Sequence, residues 1–312
     1  MDLNKIVVIG SCNTDMVITT DRLPGPGETV LGKKFKMFSG GKGANQAVAA
    51  ARLGGNVSFI ARIGDDLFGK QSLEKYKEEG INTMHIILDT QLPTGVALIT
   101  VDQNGENCIA VASGANAALE STHIENIKGL IENAAILLMQ LEIPIETVEY
   151  AAKLAYNKGV RVILNPAPAT LLSDELLKCL YAIIPNETEA EMLSGIKISD
   201  WDSAKQAANI ISSKGVNIVV ITLGENGALI KDGSNYYNIP GNKVDVVDTT
   251  AAGDTFCGAF CVALSEGFPI EKAAEIANKA GSIAVSRQGA QSSIPYREEV
   301  FLLKQSERIF KS

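Results

Sequence analysis

The sequence contains little of the side-chain chemistry on which many enzymes and small secreted domains depend. Only two histidines, His85 and His123, occur in 312 residues, and both lie outside the motifs described below. Histidine-based acid–base or metal chemistry therefore has little support. The five cysteines are scattered and include no C-x-x-C pair, so they indicate neither a disulfide framework nor a zinc site. We expect them to be small apolar side chains of the core.

Basic charge and long apolar runs are scarce as well. The net charge of −8 argues against a nucleic-acid or anionic-membrane surface, because such surfaces need clustered Lys and Arg. No apolar run reaches the roughly 18 residues of a membrane span, and the first residues lead into an apolar strand without a signal-peptide pattern. We therefore expect small-molecule partners, no nucleic-acid or membrane partner, and a cytoplasmic location.

What the chain does contain is the composition of a globular protein with a substantial core. Hydrophobic residues make up 46% and charged residues 21% of the sequence. No linker, low-complexity tract or internal repeat interrupts it. Although the length exceeds that of a typical single domain, α/β proteins of this size often form one domain with an elaboration.

Strand-like and helix-like segments alternate along the chain. Strands are predicted at 5–10, 57–62, 135–139, 160–165, 182–185 and 217–222, and helices at 44–53, 145–157 and 203–213. This alternation favours a three-layer α/β/α fold, in which a mostly parallel sheet is covered by helices on both faces.

Two segments interrupt the alternation with short antiparallel strands. They lie at 29–38 and at 95–111, where two strands flank Asn104-Gly105, a strong signal for a hairpin turn. We interpret them as a small β-sheet lid, formed by 13–38 and 95–111, over an α/β core of 1–12, 39–94 and 112–312.

Two common nucleotide-binding motifs of α/β proteins are absent. The segment after the first strand, GSCNTD at 10–15, lacks the second and third glycines of a dinucleotide fingerprint. The GGKG segment at 40–43 has no Ser or Thr after its lysine and no glycine at the required earlier position, so it is not a Walker A loop.

The strongest chemical signal is the segment DTTAAGDTF at 248–256, followed by an apolar helix. Small residues at 251–253 let the backbone approach a ligand, and unpaired N–H groups at a helix start attract an anion. A carboxylate beside such a site, Asp254, could take a proton from an attacking hydroxyl. Alone, the motif leaves an alternative open, in which Asp254 merely caps the helix.

Four further segments carry weaker signals of the same kind, each with a structural alternative. SGGKGAN at 39–45 could hold a polyol, or simply begin a helix. Asn13 and Asp15 follow the first strand at the sheet edge where α/β folds bind ligands. TLGENG at 222–227 suits nucleotide phosphates, or a β-turn. NETE at 186–189 could orient magnesium-bound water, or cap a helix.

In combination these segments resemble the ribokinase-like (PfkB-type) carbohydrate kinase family over nearly the whole chain. Further matches are NTD at 13–15, GKGANQ at 41–46, QLE at 140–142, NPAPA at 165–169 and GAQ at 289–291. Each piece is weak by itself, whereas the joint match is very specific.

The resemblance implies a role for individual positions. Asp254 is the expected catalytic base, with Ala251, Ala252 and Gly253 as an anion hole. The sugar-binding residues are expected to be Asn13, Asp15, Gly41, Lys42, Gly43, Ala44, Asn45, Glu142 and Asp254. Nucleotide contacts are expected from Asn186, Glu189 (through magnesium), Thr222, Leu223, Gly224, Glu225, Asn226, Gly227, Gly253 and Asn278. A monovalent cation, usually potassium, is expected at Asp248, Thr250, Ala284, Arg287, Gly289 and Ser293, several of them through backbone carbonyls. Asn278 has no local motif of its own.

The resemblance also implies the activity and the assembly. We expect transfer of a phosphoryl group from ATP, with Mg²⁺ and K⁺, to the primary hydroxyl of a small sugar, with D-ribose giving ribose 5-phosphate and ADP. Deoxyribose, fructose and adenosine remain alternative acceptors, although 5% aromatic residues disfavour a nucleoside pocket. A non-catalytic sugar sensor is a further alternative, against which the intact Asp254 and Gly253 weigh. Pairing of lids between subunits is expected to give a homodimer.

Overall fold

The chain folds around a large sheet with helices on both faces and carries a second, smaller sheet. The structure is a computed structural model that describes residues 4–301. Its strands are β1 (Lys5–Ile9), β2 (Asn13–Thr19), β3 (Lys34–Gly40), β4 (Asn56–Gly64), β5 (Ile86–Asp89), β6 (Gly95–Val101), β7 (Asn107–Ala112), β8 (Ile136–Met139), β9 (Arg161–Leu164), β10 (Ala182–Ile183), β11 (Ile218–Thr222), β12 (Ala228–Asp232) and β13 (Asn235–Ile239).

Helices follow most strands of the large sheet. They are α1 (Lys42–Arg52), α2 (Leu67–Glu78), α3 (Ser121–Asn126), α4 (Lys128–Glu132), α5 (Ile145–Asn157), α6 (Asp174–Cys179), α7 (Glu187–Ser194), α8 (Trp201–Ser213), α9 (Ala252–Ser265), α10 (Ile270–Val285) and α11 (Arg297–Phe301). In the range 4–301, none of these helices has both the length and the apolar character of a membrane span.

The large sheet has the strand order β13-β12-β11-β10-β9-β8-β1-β4-β5. Its pairs are parallel except at one edge, where β12 runs antiparallel to both β11 and β13. Successive residues of β1 point to opposite faces, because strand side chains alternate. Ile6 and Val8 join one buried cluster with α1, α9 and α10, whereas Val7 and Ile9 join another with α5 and α8. The predicted three-layer, mostly parallel fold is confirmed.

The small sheet has the order β3-β2-β6-β7 and is built from the segments that were predicted as a lid. The strand predicted at 29–38 lies instead at Lys34–Gly40. Its pairing with β2 begins only at Lys34, opposite Thr19, because β2 ends at that residue. Along each strand, every second side chain faces a cavity between the two sheets, and the others form the outer face.

Several element ends also differ from the prediction. Helix α8 begins at Trp201, two residues earlier than predicted, because Asp200 and Ser203 form a capping box there. Strands β2, β5, β12 and β13 were not predicted. The β11–β12 connection at 223–227 is a hairpin loop.

Candidate active site

A cavity of about 1090 Å³ lies between the small sheet and the carboxyl ends of the large-sheet strands. Most of the predicted site residues line it, although they come from distant parts of the chain. The residues that the cavity brings together are Asn13, Asp15, Gly41, Lys42, Asn45, Glu142, Asn186, Glu189, Thr222, Asp248, Thr250, Ala251, Ala252, Gly253, Asp254 and Gly289. Such a position, at the carboxyl edge of an open α/β sheet, is where these folds bind ligands.

Asp254 lies in the first turn of α9 and is only 7% exposed. Asn45 Nδ2 donates to its Oδ2 over 2.9 Å, and Gln46 Nε2 donates to its Oδ1 over 2.9 Å. The N-cap of α9 is Ala251, and no side chain caps the helix. The capping interpretation of Asp254 is therefore wrong. Its carboxylate is instead held by two amides of α1 at the wall of the cavity.

The start of α9 has the geometry of an anion site. Ala251 has φ of 59°, a left-handed conformation that costs a residue with a Cβ atom about 1–3 kcal/mol. It turns the chain into a helix whose first N–H groups have no acceptor within the helix. Beside Gly253, a Cβ atom would meet no atom within 4 Å, so the backbone there is open to the cavity. Together, the amides and the helix dipole favour a negatively charged group at this point.

Glu142 is oriented from two sides at the opposite wall. Its Oε2 accepts hydrogen bonds from Ser11 Oγ over 2.5 Å and from the Lys42 backbone N–H over 2.9 Å. Asn13 is fixed in a similar way, because its Oδ1 accepts from Asn116 Nδ2 over 2.8 Å. These bonds fix the two side chains before any ligand is bound.

Charges of both signs meet in this part of the cavity. Burial, together with the nearby carboxylates of Glu142 and Asp254, raises the pKa of Asp15 to about 6. The carboxylate of Asp254, and then that of Glu142, raises the pKa of Lys42 although burial opposes the shift. Lys42 therefore stays protonated among these carboxylates, whereas Asp15 gains a proton as the pH falls through about 6.

The glycine-rich start of α1 packs against the β1–β2 connection. Gly41 has φ of +88°, and a Cβ atom on it would lie 2.7 Å from the Asn13 nitrogen; one on Gly43 would lie 2.5 Å from the Ser11 nitrogen. Gly43 and Ala44 are buried and lie outside the cavity lining, so the cavity gives no support to the sugar contacts predicted for them. Their N–H groups donate to Ser11 instead, over 3.3 and 2.9 Å.

Asn186 and Glu189 form a capping box at the start of α7. Asn186 Oδ1 accepts from the Glu189 N–H over 2.8 Å, and Glu189 Oε2 accepts from the Asn186 N–H over 2.8 Å. The capping alternative is thus confirmed, yet both residues also line the cavity. Burial raises the pKa of Glu189, although the Asn186 N–H and Lys42 oppose the shift.

The segment 222–227 reaches the cavity only through Thr222. Leu223 is buried, and Gly224, Glu225 and Asn226 form an exposed 3₁₀ turn. Gly227, with φ of +91°, packs against the backbone of residues 239–241. The turn alternative is therefore confirmed, and the contacts expected from 223–227 have no support from the cavity. Asn278 also lies outside the cavity lining. Its Nδ2 donates to the Pro240 carbonyl over 2.8 Å.

Two loops meet where the monovalent cation was predicted. Asp248 Oδ1 accepts from the Thr250 N–H over 2.9 Å, and Oδ2 accepts from the Gly289 N–H over 2.9 Å. Burial raises the pKa of Asp248, but the hydrogen bonds from Thr250 and Gly289 outweigh burial and lower the pKa below its ordinary value. One ionised carboxylate beside the Thr250 hydroxyl suits a singly charged hard cation.

The other three predicted cation ligands lie outside the cavity lining. The Arg287 guanidinium pairs with Glu299, and Ser293 Oγ donates to the Ala290 carbonyl over 2.7 Å. The Ala284 carbonyl accepts from the Arg287 N–H over 3.1 Å. Only backbone carbonyls or the Ser293 hydroxyl could therefore serve from this segment.

Three buried amides beside Asp254 received no role from the sequence. They are Gln46, Gln140 and Asn165, which form one hydrogen-bonded group. Of the three, only Asn165 lines the cavity. The sequence feature that could have indicated Gln46 is a glutamine within ANQAVAAA, a run of mostly small apolar residues in α1. A polar side chain in such a buried run is seldom without a hydrogen-bond partner.

Comparison with known proteins agrees with this arrangement. The model of the pfkB family of carbohydrate kinases matches residues 3–297. The chain belongs to this family. Among its pfkB relatives, the ribokinase of Haemophilus influenzae is 47% identical over 94% of this chain and 96% of that protein. A deoxyribokinase of Salmonella typhi is 36% identical over 94% of this chain and 96% of that protein.

Solved structures of pfkB proteins share the fold. The structure of Arabidopsis thaliana ribokinase complexed with ribose and ATP superposes with a TM-score of 0.92, at 34% identity, and covers 97% of this chain and 99% of that one. The family resemblance drawn from the sequence is therefore confirmed.

Proposed function

We propose that this protein phosphorylates D-ribose on its 5-hydroxyl, with ATP as donor, giving ribose 5-phosphate and ADP. The observation that carries the proposal is the position of Asp254 in one cavity with Asp15, Asn45 and the open backbone of Gly253. A sugar hydroxyl and a phosphate can then meet at one carboxylate. The ribokinase relatives, 47% identical in one case, support ribose as the acceptor.

In the proposed reaction Asp254 is the general base. The 5-oxygen of ribose attacks the γ-phosphorus in line as its proton passes to the Asp254 carboxylate. The new O–P bond forms while the bond between the γ-phosphorus and the β–γ bridging oxygen breaks, and ADP leaves. The amides at the start of α9, from 251 to 253, stabilise the charge on the transferring group.

The remaining cavity residues would hold the two substrates. Asp15 and Glu142 are acceptors for vicinal hydroxyls, and Asn13, Asn45, Lys42 and Gly41 complete the sugar end. Asn186 and Thr222 line the cavity where the nucleotide would lie. Glu189 would hold Mg²⁺ through water, and the ion would neutralise phosphate charge.

The loops around Asp248 are the proposed potassium site. Its carboxylate, the Thr250 hydroxyl and carbonyls near Gly289 supply oxygen ligands of the expected kind. A cation bound there would lie next to the chain that leads into Ala251, and so would stabilise the left-handed turn at the start of α9.

The small sheet is the proposed lid and dimer surface. Its inner face lines the cavity, so closure of the lid would exclude water as a competing acceptor. On its outer face Met16 pairs with Met37 and Leu98, and Ile18 pairs with Phe35. Phe35 and Leu98 are 60% and 56% exposed. An apolar face of this kind fits a second copy of the same sheet.

Since ATP is the donor, we propose the cytoplasm as the location.

An acceptor panel tests the proposed function. ADP release would be measured with ribose, deoxyribose, fructose and adenosine, with and without K⁺, and ³¹P NMR would locate the new phosphate ester. We expect the highest kcat/KM with ribose, a 5-phosphate product and stimulation by K⁺. Preference for deoxyribose would change the substrate but keep the reaction, whereas binding of ribose without any ATP turnover would support the sensor alternative.

A further inference from the structure

A group of buried amide side chains lies directly behind the carboxylate of Asp254. Gln46 Nε2 donates to Asp254 Oδ1 over 2.9 Å and to Asn165 Oδ1 over 3.0 Å. Gln140 Nε2 donates to Gln46 Oε1 over 2.6 Å. Gln46 and Gln140 are 0% exposed, and neither of them lines the cavity. We refer to Gln46, Gln140 and Asn165 as the amide cluster.

The cluster fixes which way the Gln46 amide points. Both N–H bonds of its Nε2 have an acceptor, and its oxygen has a donor. Asn165 is itself fixed, because its Nδ2 donates to the Ile184 carbonyl over 2.9 Å. If the Gln46 amide were turned over, its oxygen would face two oxygens and its nitrogen would face the Gln140 nitrogen. A hydrogen-bond donor is therefore held toward Asp254 in the unliganded protein.

This arrangement is unfavourable for packing alone. Gln140 Oε1 is buried and has no hydrogen-bond partner among residues 4–301, so it carries the desolvation cost of an unmade bond. The neighbours of Gln46 in α1 are small apolar residues such as Ala47 and Val48. An apolar side chain at position 46 would pack among them without the free-energy cost of burying polar atoms.

We propose that Gln46 is a positioning residue for Asp254, and that Gln140 and Asn165 act through it. Asn45 holds one carboxylate oxygen and Gln46 holds the other, so the two amides fix the plane of the carboxylate. The inference rests on the proposed role of Asp254 as base. Asn45 lines the cavity, whereas Gln46 does not. Loss of Gln46 should therefore reduce kcat without weakening the binding of either substrate.

The variant Gln46→Met tests this inference, because it keeps the side-chain length and removes both donors. We expect kcat to fall about 10- to 100-fold, while KM for ribose and KM for ATP stay within about threefold. Gln140→Met should act in the same direction but less, since it only frees the Gln46 amide to turn. Gln71→Met, the same change at an exposed position of α2, is the matched control and should leave kcat unchanged.

A double-mutant cycle separates positioning from a general loss of structure. In an Asp254→Ala background there is no carboxylate to position, so adding Gln46→Met should reduce the residual kcat no further. A further tenfold loss in that background would overturn the inference, and so would an unchanged kcat for Gln46→Met alone beside an inactive Asp254→Ala enzyme. A fully active Asp254→Ala enzyme would instead overturn the proposed role of Asp254 as base, on which the inference rests. If Gln46→Met does not fold, Gln140→Met answers the same question without touching Asp254.

Discussion

The carboxylate of Asp15 lies over the backbone of Gly40 in the neighbouring strand. A Cβ atom on Gly40 would be 2.1 Å from Asp15 Oδ2 and 2.4 Å from Oδ1. Any side chain at position 40 therefore has to displace the carboxylate. Asp15 also lines the cavity. The proposed sugar site therefore requires a glycine at position 40.

The variant Gly40→Ala should weaken sugar binding selectively. The methyl group would push Asp15 from its place, so we expect KM for ribose to rise about tenfold or more, with KM for ATP little changed. Gly129→Ala is the matched control, because a Cβ atom there meets nothing within 4 Å and α4 favours alanine over glycine. An unchanged KM for ribose in Gly40→Ala would show that Asp15 does not hold the sugar.

The raised pKa of Asp15 predicts a pH dependence of ribose binding. Its pKa of about 6, against an ordinary value of 3.8, means that the neutral acid accumulates as the pH falls through 6. A neutral carboxyl group loses part of its capacity to accept hydrogen bonds from hydroxyl groups. We therefore expect KM for ribose to rise between pH 7 and pH 5.

Steady-state kinetics across this pH range would measure the effect, with Asp15→Asn as the comparison. That variant should bind ribose more weakly and show little change of KM between pH 7 and pH 5. The sign for stability is opposite. Because the unliganded native state holds this proton more tightly than the unfolded chain, Asp15 makes the protein more stable as the pH falls from 6 to 4. A pH-independent KM in the unmodified protein would contradict this role of Asp15.

Arg52 is expected to hold the loop of the proposed potassium site. Its guanidinium pairs with Glu79 and donates to the Gln291 and Ile294 carbonyls over 2.6 and 2.9 Å. Because the Arg52 and Glu79 side chains are only 12% and 18% exposed, Arg52→Met should lower the free energy of unfolding by about 3–5 kcal/mol. It should also raise the K⁺ concentration needed for half-maximal activity.

Chemical denaturation and K⁺ titration of the activity check this prediction. Arg22→Met is a suitable control, since Arg22 and Glu28 form an ion pair with 60% and 37% exposed side chains, and its loss should leave the free energy of unfolding nearly unchanged. Equal stability losses in the two variants would mean that burial does not strengthen the Arg52 contacts.

The outer face of the small sheet predicts a dimer that a single charge disrupts. Leu98→Glu places a carboxylate opposite Met16 on the apolar outer face of the small sheet, where it would be desolvated on association. Sedimentation velocity should give a dimer for the unmodified protein and a monomer for this variant. Leu171→Glu changes an exposed leucine outside that sheet and should remain dimeric. A monomeric unmodified protein would exclude the dimer.

The sequence predicted the fold better than the fine contacts, for physical reasons. Hydrophobic alternation is local, so the ends of strands β1, β4, β8, β9, β10 and β11 were predicted to within two residues, and helix α5 was predicted to the residue. Strand β12 was not predicted, because Gly224 and Gly227 in the loop before it fit a ligand loop as well as a tight turn. Likewise, the sequence favours a glycine at position 43 both where a ligand approaches the backbone and where, as in this structure, Ser11 packs against it.

The site could be predicted as a set of residues but not as a network. Side chains that face the cavity, such as Asp254 and Asn45, follow short motifs at strand ends. The hydrogen bonds that orient them come from residues about 100 to 200 positions away, as in the pairs Gln46–Asn165 and Gln46–Asp254. Only the packed sheet brings these together, and no local pattern encodes them.

The measurement that tests the central claim most directly is the activity of Asp254→Asn. The change keeps the size of the side chain and removes its capacity to take a proton, so kcat should fall at least about 100-fold, and calorimetry should give ATP and ribose affinities within about threefold of those of the unmodified protein. Near-normal turnover in a folded Asp254→Asn protein would contradict the assignment of Asp254 as the base and the mechanism built on it.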